Sequence, residues 1–431
     1  MRDLSILAAA REAPDGIALI DDDGACTFEE LAARAMDRTA PSQARVLVTP
    51  RSTRDDVARL LGLLERRVGF VCGHHQWSEA ERADAATRTG VGERRAEEQL
   101  LLFTSGSSGR PKVVRLSHGA LVAAAAAHAA ALPWRAEDRW LLGLPLGHIG
   151  GLSILTRSLW ARRPVVLGSE RFDPAHLLDA MTRHEVTLVS LVPTMLARLL
   201  DRPPPRSLRA ALLGGAAAAP SLIAQARAAG WPVLPTYGSS ETCAQACTQR
   251  LGAERETGVG PALPGIEVRV VDERIEIRGP TLMLGYLDDP TPIVDGWYRT
   301  GDIGALDQEG HLHVRGRADD TLITGGENVD PREVETALLA HPRITEACVG
   351  GRPDPEWGQQ IVAMIAGSPA PSPEEVKRHL RGLLAPFKHP KQLRAVDALP
   401  RLPSGKVDRL AVLGAFDAPG TRSAEPRWGS E

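Results

Sequence analysis

The stretch Leu101-Leu-Phe-Thr-Ser-Gly-Ser-Ser-Gly-Arg-Pro-Lys112 joins a short apolar run to a loop of small and charged residues. The apolar residues predict a strand, and the loop after it holds two glycines, three serines and two cations. Backbone N–H groups, hydroxyls and positive charge in such a loop converge on phosphate oxygens. No Ser or Thr follows Lys112, so this is not a Walker A loop. We predict a phosphate-binding loop here, against the alternative of a plain Ser/Gly turn after a strand.

On both sides of this loop, short β-forming runs alternate with helical patterns rich in Ala, Leu and Arg. That alternation is typical of parallel strands covered by helices on both faces. We therefore predict an α/β fold, with a large N-terminal domain of mostly parallel sheets. The strands are predicted at 45–49, 101–104, 140–146, 165–168, 186–192, 210–213 and 233–236.

The pattern changes twice farther along the chain. From about Gly265, closely spaced alternating runs predict antiparallel strands, which we interpret as a small β-barrel at about 260–316. After Arg317, helices at 332–339 and 373–384 and strands at 346–350 and 361–365 predict an α+β domain. The predicted organisation is an N-terminal domain at 1–318, a mobile C-terminal lid at 319–416 and a flexible tail at 417–431.

Composition narrows the class of function. The 431 residues carry 51 Lys and Arg against 54 Asp and Glu, a net charge of -3, and only 4% are aromatic. A nearly neutral chain with few aromatic residues argues against nucleic acid or an anionic membrane as the main partner. Five scattered cysteines give no disulfide framework, and no apolar run is long enough to span a membrane. We expect a cytoplasmic enzyme acting on a small molecule, and the sequence also allows a homodimer.

Four further motifs place residues suited to ligand binding next to predicted strands or turns. Thr236-Tyr-Gly-Ser-Ser-Glu-Thr242 follows a strand and offers an aromatic ring for a base and a carboxylate for a divalent cation. Leu212-Leu-Gly-Gly-Ala216 allows close backbone approach to a flat ligand. Trp297-Tyr-Arg-Thr-Gly-Asp302 puts a carboxylate after an expected glycine turn, where it suits two ribose hydroxyls. Lys406 lies in a Pro/Gly-defined loop. Taken singly, each motif is equally well explained as a turn or a solvated side chain.

Together and in this order, the motifs resemble those of the adenylate-forming superfamily, which comprises acyl-CoA synthetases, luciferases and peptide-synthetase adenylation domains. The resemblance extends from Thr27 to Arg409. It implies ATP, Mg²⁺ and CoA as cofactor and co-substrates, and an acyl-adenylate as intermediate. Such chemistry needs positive charge, because a carboxylate must attack the α-phosphate and anion meets anion.

The resemblance implies a role for each matching residue. The phosphate loop would hold ATP, the glycines and Tyr237 would frame adenine, Glu241 would bind Mg²⁺, and Lys406 would reach the substrate carboxylate and the α-phosphate. Thr242 would contact the α-phosphate, and Asp302 and Arg317 would bind the ribose. The implied nucleotide residues are Thr104, Ser105, Gly106, Ser107, Ser108, Gly109, Lys112, Gly214, Gly215, Ala216, Tyr237, Gly238, Thr242, Asp302 and Arg317.

The second half-reaction, thioester formation, is implied by the same resemblance. Asp319 stands at the hinge position, and Gly325 and Gly326 would line the pantetheine tunnel. Within the superfamily, Leu144–Gly151, Ser190–Met195 and Thr236–Thr248 look like the corresponding segments of 2-succinylbenzoate:CoA ligases of menaquinone biosynthesis. His148 would then gate the acid site.

The acid-binding side chains are less well defined than the nucleotide motifs. We take Ser190, Thr194 and Gln245 as candidates for holding the second carboxylate of the acid. The alternatives are a ligase for another aryl or acyl acid and a freestanding adenylation enzyme that loads a carrier protein.

Overall fold

The computed structural model describes residues 2–37, 45–91, 97–104, 111–169, 172–318, 322–324, 327–354, 357–381, 383–402 and 405–416. By the clustering of its contacts the chain divides into two compact units. Unit 1 comprises Met1–Thr300 with Leu306–His313, and unit 2 comprises Gly301–Ala305 with Val314–Glu431. The predicted domain limits of 1–318 and 319–416 stay a prediction, because 319–321 lie outside the described residues.

The strands and α-helices of the described residues are numbered in chain order. The strands are β1 Ile17–Asp21, β2 Gly24–Thr27, β3 Arg45–Val48, β4 Gly69–Cys72, β5 Glu98–Thr104, β6 Lys112–Ser117, β7 Trp140–Leu142, β8 Val165–Leu167, β9 Leu188–Leu191, β10 Ala210–Leu213, β11 Val233–Tyr237, β12 Cys247–Thr248, β13 Glu267–Val271, β14 Arg274–Arg278, β15 Gly285–Tyr286, β16 Ile293–Val294, β17 Trp297–Leu306, β18 Leu312–Arg317, β19 Leu322–Thr324, β20 Glu327–Val329, β21 Glu346–Asp354, β22 Gly358–Ala366 and β23 Gln392–Val396. The helices are α1 Ile6–Glu12, α2 Phe28–Asp37, α3 Arg54–Glu65, α4 Glu79–Thr89, α5 His118–Ala131, α6 Ile149–Ala161, α7 Pro174–Arg183, α8 Pro193–Ala197, α9 Pro220–Ala228, α10 Pro331–Leu339, α11 Pro373–Arg381 and α12 Arg409–Gly414.

Unit 1 is built on a mainly parallel sheet and a second sheet that mixes parallel and antiparallel pairs. Among the described residues, the larger has the order β12-β11-β10-β9-β7-β8-β1-β2, and the other has the order β15-β6-β5-β4-β3. The inner strands of the larger sheet are parallel, and antiparallel strands lie at its edges. Strands such as β4, β7 and β10 are buried along their whole length, as expected where helices cover both faces. The predicted α/β fold with mostly parallel sheets is confirmed.

A smaller antiparallel arrangement follows in unit 1. The hairpin of β13 and β14 pairs Val271 with Arg274 across a tight turn, and β16 pairs with the start of β17. Asp272 and Glu273 in that turn both have positive φ, which is the geometry of a tight hairpin. These strands lie where the change in sequence pattern predicts antiparallel pairing.

Unit 2 has its own sheet and core. Its sheet has the order β20-β19-β22-β21, with β23 pairing in parallel with β22. The apolar faces of α10 and α11 pack on it through Val334, Leu338, Val376 and Leu380. Asp330 caps α10 by accepting a hydrogen bond from the backbone of Arg332, and proline at the first turn fixes the start of that helix.

In the part of the chain that the structure describes, no helix is both long and apolar enough to cross a membrane.

Candidate active site

Three adjacent parallel strands of unit 1 bring predicted site residues to one edge of the larger sheet. β9, β10 and β11 run in parallel, with Leu213 opposite both Leu191 and Pro235. Ser190 lies near the end of β9, Gly214 follows β10, and Tyr237 ends β11. Ligands of open α/β sheets bind beyond the carboxyl ends of such strands. The edge is therefore the first candidate for the nucleotide and acid site.

The glycines at this edge have steric reasons to be glycine. A Cβ on Gly214 would lie 2.5 Å from Oγ1 of Thr236, and Gly215 has a φ of +77°. A Cβ on Gly238 would lie 1.6 Å from the carbonyl oxygen of Ala244. No other residue type fits at Gly238 without moving the backbone of the loop that returns past it. These contacts account for the glycines by packing, and their predicted role in framing adenine stays a prediction.

The loop after β11 is held in a strained conformation. Ser240–Thr242 form one turn of 3-10 helix, and Cys243 and Ala244 then adopt φ values of 55° and 85°. Non-glycine residues in the left-handed region cost of order 1–3 kcal/mol each, and such strain concentrates at functional sites. The turn is closed by Thr242, whose buried hydroxyl accepts from the backbone N–H of Ser239 and donates to its carbonyl. The predicted contact of Thr242 with the α-phosphate stays a prediction.

Glu241, the predicted magnesium ligand, lies within a defined network. Its Oε1 accepts a hydrogen bond of 2.8 Å from the hydroxyl of Tyr286, and its carbonyl accepts one from the backbone of Met283. The Nζ of Lys112 lies 4.8 Å from the centre of the Tyr286 ring. The structure thus brings Glu241 and Lys112, which are far apart in sequence, next to the same tyrosine. Glu241 lies at its hydroxyl and Lys112 lies over its ring.

The two ends of the predicted phosphate loop meet in a hairpin. β5 and β6 are antiparallel, with Thr104 opposite Lys112, and the hydroxyl of Thr104 donates to the carbonyl of Lys112. Ser105, Gly106, Ser107, Ser108 and Gly109 lie outside the described residues. The hairpin fixes where this loop starts and ends, next to the Tyr286 ring.

A second cluster in unit 1 surrounds a buried arginine. Arg157 lies in α6 and is 3% exposed, and its guanidinium lies 5.8 Å from the Trp140 ring. Burial lowers the pKa of Arg157 to about 10, which leaves it charged at neutral pH. Its Nε and Nη2 have no hydrogen-bond partner among the described residues. A buried cation without a carboxylate is costly unless a ligand supplies the negative charge.

Gln245 and His128 belong to this cluster. The Oε1 of Gln245 lies 3.0 Å from Nδ1 of His128, and its Nε2 is buried with no partner in the described part of the chain. Burial lowers the pKa of His128 well below its usual range, and the charge of Arg157 adds to this. His128 is therefore neutral, and the cluster carries the single positive charge of Arg157.

The remaining acid-side predictions are spread along the same edge. His148 precedes α6, and its ring centre lies 5.5 Å from that of His74, which stacks on His75 at 4.4 Å. Thr194 lies in the first turn of α8. Among the described residues, neither Ser190 nor Thr194 forms a side-chain hydrogen bond with Gln245. Of the three predicted residues, Gln245 belongs to the Arg157 cluster, and the roles of all three in binding the acid stay predictions.

Unit 2 brings Asp302 and Arg317 together. Nη1 of Arg317 lies 3.8 Å from Oδ1 of Asp302, across the strands β17 and β18. The expected turn at Gly301 is wrong, because Gly301 and Asp302 lie inside β17. A Cβ on Gly301 would lie 2.4 Å from Nη2 of Arg317, so glycine is needed for the guanidinium to pass over the strand. The structure therefore brings the two residues together, and their predicted role in binding ribose stays a prediction.

Lys406 is exposed on a loop of unit 2. Its carbonyl accepts from the backbone N–H of Leu402, and Arg401 and Val407 form an isolated bridge across the loop. Arg409, three residues later, donates to the partly buried Glu335 at 2.7 Å and to the carbonyl of Val349. The loop is thus braced at its base while its lysine faces solvent. Asp319, Gly325 and Gly326, the predicted hinge and tunnel residues, lie outside the described residues.

Comparison with protein families explains why these elements occur together. Residues 36–287 match the AMP-binding enzyme family, and residues 333–406 match the AMP-binding enzyme C-terminal domain. The first match alone spans more than half of the chain. The chain belongs to the AMP-binding enzyme family. The resemblance drawn from the sequence motifs is confirmed.

Comparison with individual AMP-binding enzymes shows which members of the family this chain is similar to. The chain is 40% identical over 327 residues to a 2-succinylbenzoate–CoA ligase of Bacillus velezensis, covering 72% of this chain and 67% of that protein. Its fold matches o-succinylbenzoate CoA synthetase of Bacillus subtilis in complex with the acyl-adenylate intermediate, with a TM-score of 0.86 and 30% identity over 96% of this chain and 98% of that one. The same Bacillus subtilis enzyme with ATP and magnesium ion gives a TM-score of 0.85 and 30% identity, covering 95% and 99%.

Two residues of this AMP-binding enzyme were missed at the sequence level. Arg157 interrupts a helix of otherwise small and apolar residues, and that interruption is a signal that could have marked it. Tyr286 is one of only three tyrosines and follows a glycine, but its contact with Glu241 depends on strand pairing that the sequence does not reveal.

Proposed function

We propose that this chain is an AMP-forming ligase that joins 2-succinylbenzoate to coenzyme A. Its membership of the AMP-binding enzyme family, with 2-succinylbenzoate–CoA ligases among its relatives, supports the reaction class. The observation that carries the substrate assignment is Arg157, a buried cation with two nitrogens that have no partner among the described residues. We take it as the group that receives the second carboxylate.

The proposed reaction has two steps, adenylation and thioester formation. The succinyl carboxylate attacks the α-phosphorus of ATP, a P–O bond forms, and pyrophosphate leaves with the electrons of the broken bond. The thiol sulfur of CoA, after losing its proton, then attacks the acyl carbon, and AMP leaves. Both steps need positioning and charge neutralisation more than covalent help from the protein.

In this proposal several side chains take separate parts in the first step. Glu241 offers a carboxylate, the ligand type that Mg²⁺ takes in small number beside substrate phosphates, and one of its oxygens is already fixed by Tyr286. When bound, Mg²⁺ neutralises charge on the phosphates. Lys406 supplies a mobile cation for the attacking carboxylate and the α-phosphate. Asp302 and Arg317 hold the ribose hydroxyls.

The acid has two carboxylates, so its site needs a second anion-binding group. 2-Succinylbenzoate keeps its ring carboxylate free while its succinyl carboxylate reacts. We assign the ring carboxylate to Arg157, with the amide of Gln245 as a second donor. A charge-assisted hydrogen bond in a buried site is the strong kind, and the charge of the acid would in turn relieve the unpaired guanidinium.

Thioester formation in this proposal requires motion of the C-terminal part about Asp319, with Gly325 and Gly326 leaving room for the pantetheine chain. Replacing Asp319 by proline would restrict φ at the hinge. We expect Asp319→Pro to retain acyl-AMP formation and to lose thioester formation, measured separately by pyrophosphate release and by thioester yield. Loss of both half-reactions together would contradict the hinge assignment.

One assay distinguishes the proposed function from the two alternative functions. Pyrophosphate release is measured across a panel of aryl and acyl acids, with and without CoA, and the thioester product is identified by mass spectrometry. We expect the highest turnover with 2-succinylbenzoate and a CoA thioester as product. Best turnover with benzoate would identify another aryl acid ligase. Acyl-adenylate without any CoA thioester would identify an enzyme that loads a carrier protein.

The setting of the reaction is also part of the proposal. We place the enzyme in the cytoplasm, acting on a small carboxylic acid without nucleic acid or membrane insertion, and a homodimer is the assembly to test for. Light scattering of the purified chain gives its mass in solution directly.

A further inference from the structure

Every tyrosine of the chain lies close to Glu241. Tyr286 donates its hydroxyl to Oε1 of Glu241 at 2.8 Å, and Tyr298 shares a side-chain hydrogen bond with Tyr286. Tyr237 ends the strand that leads into the Glu241 turn. Tyr286 is bonded directly to the carboxylate, through its hydroxyl. Its side chain therefore bears on the orientation of Glu241.

Backbone pairing with β6 fixes the position of Tyr286. The N–H groups of Leu284 and Leu287 donate to the carbonyls of Arg115 and Val113, at 2.8 and 2.9 Å. Tyr286 therefore stands opposite Val114. Residues two apart on a strand share a face, so Lys112 is the diagonal neighbour of Tyr286. This register puts the Lys112 ammonium 4.8 Å from the centre of the ring.

The other side of the same segment is tied to the Glu241 turn. The N–H of Met283 donates to the carbonyl of Glu241 at 2.8 Å. The N–H of Tyr286 donates to Oγ1 of Thr291, and a Cβ on Gly285 would lie 2.6 Å from that same oxygen. The segment from Met283 to Tyr286 is thus clamped between β6 and the Glu241 turn, with little room to shift.

We propose that Tyr286 is a positioning residue for adenylation, which sets the carboxylate of Glu241 with its hydroxyl and the ammonium of Lys112 with its ring. This inference rests on the proposed function. Mg²⁺ demands near-ideal octahedral geometry, so a carboxylate that rotates freely binds it less well. With Oε1 held by Tyr286, the second oxygen is left for the metal. The ring meanwhile attracts the Lys112 ammonium through its negative face.

The test removes only the hydroxyl. In Tyr286→Phe the ring stays beneath Lys112 while the bond to Glu241 is lost. Partners of metal-ligating side chains are worth roughly 10–100-fold in metal affinity, so we expect Mn²⁺ to bind about tenfold more weakly to the complex of the variant with an ATP analogue. The analogue carries a methylene between its α- and β-phosphorus atoms, and free Mn²⁺ is counted by electron paramagnetic resonance. Binding of the analogue in EDTA should change by less than about twofold.

Tyr298→Phe is the matched control. It removes a hydroxyl from the same cluster, but that hydroxyl is bonded to Tyr286 and not to Glu241. We expect its Mn²⁺ affinity to stay within about threefold of the unmodified enzyme. Equal losses in the two variants would overturn the proposal, because a general loosening of the cluster would then explain both.

A double-mutant cycle tests whether Tyr286 acts through Glu241. In a Glu241→Gln background we expect Tyr286→Phe to have no further effect on Mn²⁺ binding. The proposal would be overturned if Tyr286→Phe weakened Mn²⁺ binding as much in the Glu241→Gln background as in the unmodified enzyme. Unchanged Mn²⁺ affinity in the Tyr286→Phe single variant would also overturn it. None of these titrations includes an acid. A failure of the 2-succinylbenzoate assignment is therefore seen in turnover alone, and a failure of the Tyr286 role is seen in Mn²⁺ binding alone.

Discussion

The turn that carries Glu241 and the loop that carries Lys406 are built in opposite ways. Glu241 is half-buried, bonded through its side chain to Tyr286 and through its carbonyl to Met283. Lys406 is exposed, and the hydrogen bonds that hold its loop use backbone groups and the neighbouring Arg401 and Arg409. The side chain of Glu241 is thus half-buried in a defined network, whereas Lys406 is exposed on a loop that backbone contacts hold.

This difference matches what each group must do. A metal ligand works only if its geometry is set before the metal arrives, and that calls for rigid neighbours. A lysine that serves one half-reaction and is then replaced must not be bound into a buried network, because breaking such a network would slow the exchange. Arg157, to which we assign the second carboxylate of the acid, is the extreme of the first type, since it is buried and its Nε and Nη2 have no partner in the part of the chain that the structure describes.

Removing the presented cation should give the largest effect. We expect Lys406→Ala to slow acyl-AMP formation by about 100-fold or more, because a lost transition-state contact of ~3 kcal/mol has that consequence. Pyrophosphate release with saturating ATP and acid measures this step. Unfolding temperature should be unchanged, since the side chain is exposed.

Lys377→Ala is the control for Lys406→Ala, as it removes a lysine from α11 of the same unit. Its rate should equal that of the unmodified enzyme. Normal acyl-AMP formation by Lys406→Ala would show that the exposed lysine is not catalytic, and the contrast between the two regions would fail.

Removing the buried cation should reduce specificity and raise stability together. We expect Arg157→Met to lower kcat/KM for 2-succinylbenzoate by about 30–100-fold, as truncating one partner of a buried charge pair does. The rate with 3-benzoylpropionate, which lacks the ring carboxylate, should change far less. Without substrate, the variant should melt a few degrees higher, because an unpaired buried charge has been replaced by an apolar side chain of similar volume.

Melting curves and kinetics of Arg157→Met must agree for this account to stand. A lower melting temperature would mean that the guanidinium is a structural element with partners of its own. An equal loss of kcat/KM for both acids would mean that it does not recognise the ring carboxylate.

The smallest effect is expected at the pair of unit 2. In Gly301→Ala the new methyl would displace the end of the Arg317 side chain, since the two would otherwise lie 2.4 Å apart. The guanidinium is the far end of a flexible side chain, so stability should hardly change. We expect the KM for ATP to rise about three- to tenfold with kcat nearly unchanged, because uniform binding is lost. An unchanged KM for ATP would remove Arg317 and Asp302 from the nucleotide site.

Much of the fold was predictable because its strands are short, apolar and bounded by turn residues. The run at 210–213 predicts a strand with the bounds that the structure has. Gly301 shows the limit of that reasoning. A glycine beside an aspartate indicates a turn from local preference, but here it makes room for Arg317, and only the pairing of β17 with β18 reveals that.

The candidate site was predictable where motifs are local and not where contacts are distant. Glu241 and Lys112 stand in recognisable loops, so their chemistry could be inferred from neighbours in sequence. Tyr286 contacts Glu241, which lies 45 residues away in the sequence, and that contact depends on strand register. Arg157 became a candidate only when its burial and its missing partners were known. Ser190 and Thr194 stay predictions, and the described contacts do not connect them with Gln245.

The central claim is that this enzyme activates a dicarboxylate and uses a buried charge to recognise the carboxylate that does not react. Its most direct test is a competition in one vessel, with ATP, Mg²⁺, CoA and equal concentrations of 2-succinylbenzoate and 3-benzoylpropionate. Mass spectrometry gives the ratio of the two CoA thioesters. We predict an excess of the 2-succinylbenzoate thioester of about 100-fold, from the lost charge pair of the competitor. A ratio near one, or an excess of the 3-benzoylpropionate thioester, would contradict the claim.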